Sequence, residues 1–219
     1  MFDTFADDLA QSRMADAFKD GNAVSDYLVA CGGGVNIYDV RSWSDAPIEP
    51  LKDYLSSSVV KECLHVPQEV EWAFSDAGSE VADNLMEDLM APASAVIKEI
   101  VDVKKEENPL YKVLLYTGNF DMSCGFTGTE KLLRQMKWDG QEEWKNLDRK
   151  VWYCQESAEG EKITQGYIKS CRNVTQIEIP MSGHQVPLYQ PQISRNMIYN
   201  WIFGNEFPAY ILSEKEENS

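Results

Sequence analysis

KVLLYTGNFDMSCG, residues 112–125, is the stretch of sequence that decides the fold class of this chain. It opens with a continuous apolar run typical of a buried strand, turns at Thr-Gly-Asn and delivers Asp121. A second stretch, TQIEIPMSGHQVPLYQP (residues 175–191), has the same layout and delivers His184 after a Ser-Gly turn. We predict that these two strands are adjacent in one sheet and that this Asp and this His converge at one edge of it.

The regions around these two stretches predict an α/β sheet. KVWYCQ (residues 150–155) and ITQGYIKS (residues 163–170) have the composition of strands. PQISRNMIYNWIF (residues 191–203) has the apolar spacing of a helix, and Gly204 follows it as a stop signal. Strands and helices thus alternate after Pro109, which favours a layered α/β architecture.

The first half of the chain has helical patterns instead. Apolar residues recur at helical spacing in residues 7–18 and again in residues 81–101. The charged run at residues 102–109 separates this half from the alternating half. Beyond that run, Thr127 precedes Glu130 by three residues, which predicts a capping box at the start of a helix.

Composition excludes several classes of partner. The formal net charge is -16, from 36 acidic and 20 basic residues, and a phosphate backbone or an anionic membrane would repel such a chain. No segment approaches the roughly 20 apolar residues that a membrane span requires. Residues 1–18 carry acidic groups and no long apolar run, so we expect no secretion signal there.

Cysteine and sequon patterns add two observations. The five cysteines include no CxxC pair and no spacing typical of a metal site, so we predict no metal site among them. Their odd number leaves at least one thiol without a partner in this chain. Asn173 begins the sequon Asn-Val-Thr, which predicts glycosylation only if the protein enters a secretory compartment.

Asp121 and His184 each have two interpretations. An acid and then a histidine, late in the chain, is the order in which α/β-hydrolases present these groups after their nucleophile. Alternatively, Asp121 caps the helix that follows its turn, and His184 is a hydrogen-bonded loop histidine without chemistry. Two motifs in this order favour the first interpretation.

With these motifs, the sequence resembles the C-terminal half of a serine carboxypeptidase. Among the branches of that family, it resembles the vitellogenic-like and retinoid-inducible ones most. CGGGVNIYDVR (residues 31–41) is similar to the family's Asn-x-Tyr-Asp stretch, and LSSSVVKECLHVP (residues 55–67) is similar to an element with a Leu-His-Val sequence. The acid strand and loop, the KLLRQMKW helix (residues 131–138) and the SGHQVPLYQP loop (residues 182–191) complete the resemblance. It runs through nearly the whole chain.

The resemblance implies a fold and site residues. The fold would be the C-terminal portion of an α/β-hydrolase, preceded by part of a helical insertion: residues 1–60 as insertion, 61–212 as hydrolase and 213–219 as tail. Asp121 would accept a hydrogen bond from Nδ1 of His184, and His184 would act as general base and then general acid. Gln185 and Cys124 would lie at the substrate-binding site, although Cys124 has the alternative of a small buried thiol.

Departures from the family are equally informative. The sequence contains no G-x-S-x-G, so the nucleophilic serine and the oxyanion hole would have to come from another segment, and the chain alone would be inactive. Gln185 replaces a usual Met, and Tyr189 stands where Asp is frequent. We expect a partial hydrolase sheet to expose one edge and one face.

The resemblance also implies partners and a setting. The partners are a peptide C-terminus as substrate, the serine-bearing N-terminal half of the same enzyme and a second copy in a homodimer. The expected location is lysosomal, vacuolar or secreted, and neither a metal nor a cofactor is expected. The alternative function is a non-catalytic, hydrolase-like interaction module.

Overall fold

The structure, a computed structural model, describes residues 1–44, 49–72, 84–85, 88–103, 108, 111–154, 161–204 and 207–210. The chain forms two compact units. The first comprises Met1–Gly34 and Trp43–Ala91, and the second comprises Val35–Ser42 and Pro92–Ser219. The predicted division after residue 60 stays a prediction, and the tail at residues 213–219 lies outside the described residues.

The first unit is helical in its described part. Its helices are α1 (Phe2–Ala10), α2 (Met14–Cys31), α3 (Glu49–Ser56) and α4 (Ser58–Cys63). The single helical stretch predicted for residues 7–18 is interrupted, because Ser12 adopts a left-handed backbone with φ of 57°. Arg13 pins this turn by donating from Nε to the buried Asp8 carboxylate at 2.8 Å.

His65 follows α4 and belongs to this first unit. It is exposed and has a positive φ of 57°, the left-handed conformation that often terminates a helix. Its N–H donates to the carbonyl oxygen of Glu62 at 3.1 Å. This histidine therefore ends a helix at the surface.

The second unit contains the sheet and its helices. The strands are β1 (Val113–Gly118), β2 (Lys150–Cys154), β3 (Ile163–Cys171), β4 (Val174–Ile179) and β5 (Ala209–Tyr210). The helices are α5 (Ser94–Val101), α6 (Phe126–Gln135), α7 (Gln141–Asn146), α8 (Val186–Tyr189) and α9 (Pro191–Phe203). The strand order is β1-β4-β3-β2-β5, with β1 and β4 parallel and the other pairs antiparallel. The predicted alternation of strands and helices after residue 109 is confirmed.

Strand β4 shows how the two faces of the sheet are filled. Val174 packs into one apolar cluster with residues of α5, α6 and α7, whereas Ile177 and Ile179 pack into a second cluster with residues of α8 and α9. Alternate residues of a strand point to opposite faces, so helices cover both sides of this strand. The expectation that one face of the sheet would lie open is wrong in this part of the fold.

Glu130 of α6 is the polar anchor between α6 and the sheet. Its carboxylate accepts from Nζ of the buried Lys169 at 3.2 Å and from Nε1 of Trp144 at 3.2 Å. Nη2 of Arg149 approaches the same carboxylate at 3.5 Å, and burial lowers the pKa of this guanidinium. A lysine this deeply buried requires such an anionic partner.

The capping box predicted at Thr127 is wrong. Helix α6 begins at Phe126 with Gly125 as its N-cap, so Thr127 lies inside the first turn, and Glu130 binds the groups across the sheet instead. By contrast, α9 matches the predicted residues 191–203, and Gly204 ends it in the left-handed conformation with φ of 69°.

Two further predictions lie partly outside the described residues. Of the helical pattern in residues 81–101, only residues 84–85 and 88–101 are described, and they include α5. The charged run at residues 102–109 is described at 102, 103 and 108 alone. Among the residues that the structure does describe, no helix is both long enough and apolar enough to cross a membrane.

All five cysteines are free thiols, and their environments differ. Cys171 is buried, and burial raises its pKa to about 11, with the neighbouring Glu143 carboxylate acting in the same direction. Cys31, Cys63 and Cys124 are exposed. Because the thiolate is the reactive form, the buried thiol is protected both by its position and by its pKa.

We therefore predict selective alkylation of the reduced, folded protein. At a pH near 8, about one Cys171 thiol in a thousand is ionised, so iodoacetamide should modify Cys124 at least 100-fold faster than Cys171. Peptide mass spectrometry after timed alkylation measures both rates. Equal rates in the folded protein would contradict the buried position of Cys171, and full denaturation provides the control in which the two rates converge.

Candidate active site

The parallel pairing of β1 with β4 positions the candidate site. Gly118 at the end of β1 lies opposite Ile179 at the end of β4. The loops that follow both strands therefore leave the same edge of the sheet, as predicted from the sequence. The N–H of Phe120 donates to the carbonyl oxygen of Ser182 at 2.9 Å, which joins the two loops directly.

Asp121 is held by its own loop. One carboxylate oxygen, Oδ1, accepts from the N–H groups of Ser123 at 2.9 Å and Cys124 at 3.0 Å. The side chain is only 3% exposed. The two donor residues lie just before α6, so Oδ1 orders the turn that leads into the helix. The second carboxylate oxygen, Oδ2, binds a different partner.

That partner is His184. Its Nδ1 lies 2.8 Å from Oδ2 of Asp121, so the predicted hydrogen bond between these side chains is present. An ionised carboxylate can only accept, which assigns the donor hydrogen to Nδ1 and leaves Nε2 as the second site of the ring. The imidazole is 40% exposed, in contrast to the buried carboxylate. The pair thus has a fixed inner partner and an accessible outer one.

Two glycines allow the close approach of the backbone segments around this pair. A Cβ atom at Gly118 would collide with the carbonyl oxygens of Ser182 and Gly183, and one at Gly183 would collide with the carbonyl oxygen of Tyr38. Neither glycine has a positive φ. Glycine is therefore required at these two turns by backbone contact, and not by an unusual backbone conformation.

A third segment, Val35–Ser42, borders both loops and is called the bridging segment below. The carbonyl oxygen of Ile37 accepts from Met122 N–H at 2.9 Å on the Asp121 loop. The carbonyl oxygen of Tyr38 accepts from His184 N–H at 2.7 Å, and the Tyr38 ring lies 5.2 Å from the imidazole. The sequence alone indicated no site role for this segment, because its partners lie about 85 and 146 residues away along the chain.

The remaining predicted site residues have different positions. Gln185 is exposed next to His184 and begins α8 as its N-cap. Cys124 is exposed, so the alternative of a buried thiol is wrong. Asn173 is 9% exposed, and its Nδ2 lies 3.5 Å from the carbonyl oxygen of Val103. A glycan on Asn173 would require this side chain to leave that position.

One group of described side chains has the composition of a metal site. It comprises Asp121, Cys124 and His184, whose potential ligand atoms all lie within 4.8 Å of one another. The Asp121 and His184 atoms in this group are already hydrogen-bonded to each other at 2.8 Å. A cation bound by both would have to replace that hydrogen bond, because metal ligands lie roughly 2.0 to 2.3 Å from the metal.

Comparison with known proteins identifies similar chains. The sequence model of the family described as serine carboxypeptidase matches residues 38–204. The Homo sapiens protein named probable serine carboxypeptidase CPVL is 30% identical over 200 residues, which cover 90% of this chain and 39% of that protein. The venom serine carboxypeptidase of Apis mellifera is 26% identical over 155 residues, which cover 71% of this chain and 30% of that protein.

A solved structure supports the fold. The crystal structure of Kex1(delta)p, a prohormone-processing carboxypeptidase from Saccharomyces cerevisiae, matches with a TM-score of 0.59 at 17% identity, over 78% of this chain and 36% of that chain. The mixed sheet and its helices are part of an α/β-hydrolase fold, so the predicted fold class is confirmed. The chain spans well under half the length of these curated relatives, 39% of one and 30% of the other.

We predict that Gly118→Ala disrupts the site and Gly128→Ala does not. The added methyl group at position 118 meets backbone oxygens, so we expect a loss of about 1 to 3 kcal/mol in the free energy of unfolding. Gly128 lies in α6 with open space around it, so alanine there should be neutral or stabilising by up to about 1 kcal/mol. Urea denaturation of both variants measures the difference, and equal stabilities would contradict the close approach at Gly118.

Proposed function

The chain belongs to the serine carboxypeptidase family, and from this premise we propose that it supplies the acid and the base of an enzyme that removes C-terminal residues from peptides. The observation that carries the proposal is the 2.8 Å contact between His184 Nδ1 and Asp121 Oδ2, at the common edge of two parallel strands. A buried carboxylate and an oriented, partly exposed imidazole are the features that acyl transfer requires of these two groups.

In this proposal the proton follows one path. Nε2 of His184 accepts the hydroxyl proton of a serine while the serine oxygen attacks the carbonyl carbon of the terminal peptide bond. The resulting imidazolium gives that proton to the leaving amine, and the bond between carbonyl carbon and nitrogen breaks. A water molecule then repeats both steps on the acyl-enzyme, releasing the shortened peptide and restoring the serine.

Asp121 has the electrostatic role in this path. It keeps the imidazole in the tautomer with hydrogen on Nδ1 and stabilises the imidazolium once His184 has taken the proton. Its other oxygen, Oδ1, accepts two backbone hydrogen bonds, which hold the carboxylate in place while Oδ2 faces the imidazole. Because the carboxylate is shielded from solvent, its attraction to the imidazolium is weakly screened.

We propose that the serine and the oxyanion-hole donors belong to a polypeptide segment outside these 219 residues, and that this chain alone is inactive. The sequence has no G-x-S-x-G, and strand β1 ends the strand order, with no strand paired to its second edge among the described residues. An unpaired edge of this kind is a docking surface for a further strand. The serine-bearing half of a carboxypeptidase is the partner that would place a nucleophile near Nε2.

We further propose a secretory, lysosomal or vacuolar setting. One relative is named as a venom enzyme, which supports this location. The acidic surface of the chain, with a net charge of -16, also supports the absence of nucleic acid as a partner.

Activity of the protein that contains this chain tests the proposal. His184→Gln should lower kcat for hydrolysis of an N-blocked dipeptide by about 10⁶-fold, and Asp121→Asn by about 10⁴-fold. His65→Gln is the matched control, since it replaces the chain's other histidine at the surface of the first unit and should leave kcat unchanged. Retained activity in His184→Gln would overturn the proposal.

A fluorophosphonate probe locates the nucleophile in the same material. We expect mass spectrometry to find the labelled serine on a segment other than these 219 residues, in a complex or longer chain recovered with an antibody against residues 121–144. A label on a serine of this chain would contradict the proposed origin of the nucleophile. Recovery of the chain with no labelled partner would favour the non-catalytic interaction module.

Gln185 generates a specificity prediction. The side chain is exposed beside His184, where we propose that it contacts the leaving residue. Gln185→Met should raise kcat/KM for leaving Leu or Phe relative to leaving Ser by about 10-fold, because a polar amide loses hydration against an apolar residue. Gln192→Met, on the exposed side of α9, is the control. An unchanged ratio would exclude Gln185 from the pocket.

A further inference from the structure

Arg41 of the bridging segment contacts both loops of the candidate site. Its guanidinium lies 4.6 Å from the centroid of the Phe120 ring, one residue before Asp121. The same group donates from Nη1 to the carbonyl oxygen of Met181 at 3.1 Å, three residues before His184. One side chain thus connects the loop of the acid with the loop of the histidine.

The carbonyl group that accepts this hydrogen bond belongs to Met181, a residue with an unusual backbone conformation. Met181 has a left-handed conformation with φ of 55°, which a residue with a side chain rarely adopts. Its carbonyl oxygen also accepts from Nε2 of Gln190 at 3.1 Å, so two donors converge on it from the bridging segment and from the end of α8. These hydrogen bonds stabilise the turn that delivers His184.

Asp39 fixes the position of the guanidinium. Its carboxylate accepts from Nε of Arg41 at 2.9 Å and from Nη2 at 2.6 Å, the two-point geometry that a planar guanidinium provides. Asp39 is 2% exposed, and the Arg41 guanidinium holds the pKa of this carboxyl below its ordinary value. A hydrogen bond from the Tyr189 side chain contributes in the same direction.

Tyr189 connects this ion pair to the other end of the histidine loop. The Arg41 guanidinium lies 5.4 Å from the centroid of the Tyr189 ring. Tyr189 follows His184 in the sequence, whereas Met181 precedes it. Arg41 is thereby stacked against one aromatic ring from each loop, Phe120 and Tyr189. Lysine could not reproduce this arrangement, because its single ammonium group lacks the planar fork with which Arg41 donates to Asp39 and to Met181 at the same time.

We propose that Arg41, anchored by Asp39, is a positioning residue that holds the Asp121 loop and the His184 loop at the separation required for the hydrogen bond between His184 Nδ1 and Asp121 Oδ2. The term positioning residue rests on the proposed function, in which that hydrogen bond serves catalysis. In this role Arg41 does not itself bind the side chain of Asp121 or of His184. It acts through Phe120, Met181 and Tyr189.

Proton NMR of the histidine ring tests this inference without a need for catalysis. The chain has two histidines, so His65→Gln assigns the imidazole signals, and Asp121→Asn identifies the downfield resonance of the hydrogen-bonded Nδ1 proton of His184. We expect Arg41→Met to abolish this resonance through exchange with water while the circular dichroism spectrum stays that of the folded chain. Arg41→Lys should broaden it, with at least a 10-fold faster exchange rate.

Arg195→Met is the matched control. This exposed arginine of α9 also lies over a tyrosine ring, at 5.7 Å from the centroid of Tyr199, but it is remote from both loops in the contacts described above. It should leave the His184 resonance intact. Persistence of the resonance in folded Arg41→Met would overturn the inference. If that variant does not fold, a wild-type exchange rate in Arg41→Lys overturns it instead.

The two proposals fail in distinguishable ways. Absence of peptidase activity in the protein that contains both this chain and its serine-bearing segment would contradict the proposed function. Loss of the resonance in Arg41→Met would still leave the positioning role intact. Peptidase activity that depends on His184, combined with a resonance that does not depend on Arg41, would support the function and contradict the positioning role. In the active protein, Arg41→Lys should lower kcat by about 10-fold with KM unchanged, since it alters the pair and not the binding of the peptide.

Discussion

The parallel pairing of β1 with β4 is the constraint on which the site depends. Its register brings Gly118 opposite Ile179, and both loops leave the sheet within one residue of that pair. Between the two strands, the described residues form two helices and two antiparallel strands, and these strands extend the sheet on the far side of β4 from β1. The two loops thus start from a scaffold with an apolar cluster on each side of β4, so packing of the sheet fixes where the loops begin. The contacts of Arg41 act on the loops beyond that point.

Burial divides the Asp121 and His184 pair into an inner and an outer partner. The carboxylate is nearly inaccessible and takes two of its hydrogen bonds from its own loop, whereas the ring it orients remains accessible to solvent. A buried charge of this kind would be costly without the backbone N–H groups, which offset the loss of hydration. Asp121 does not cap α6, whose N-cap is Gly125; its Oδ1 instead orders the turn before the helix, and its Oδ2 binds the histidine.

Much of the sheet could be predicted from the sequence because strand signals are local. The strands around residues 113, 150, 163 and 174, the final helix and its Gly204 stop all follow from apolar runs and turn residues. The failures have a common cause in long-range packing. Thr127 and Glu130 fit a local cap, but Glu130 meets Lys169, some 40 residues further along the chain, and a buried cation outweighs one backbone hydrogen bond. The close backbone contact at Gly118 and the contacts of Arg41 were not predicted, since each depends on segments that are distant in sequence.

The contacts that orient His184 lie within the second unit. The loops of Asp121 and His184, the bridging segment and the supporting strands all belong to it. What catalysis would still require is a nucleophile and donors for the oxyanion, and these supply a large share of the rate acceleration in acyl transfer. The imidazole of His184 is already oriented through Nδ1 and through the backbone contact with Tyr38. In the proposed enzyme, the serine-bearing segment would therefore have to bring one hydroxyl to Nε2 without rearranging the ring.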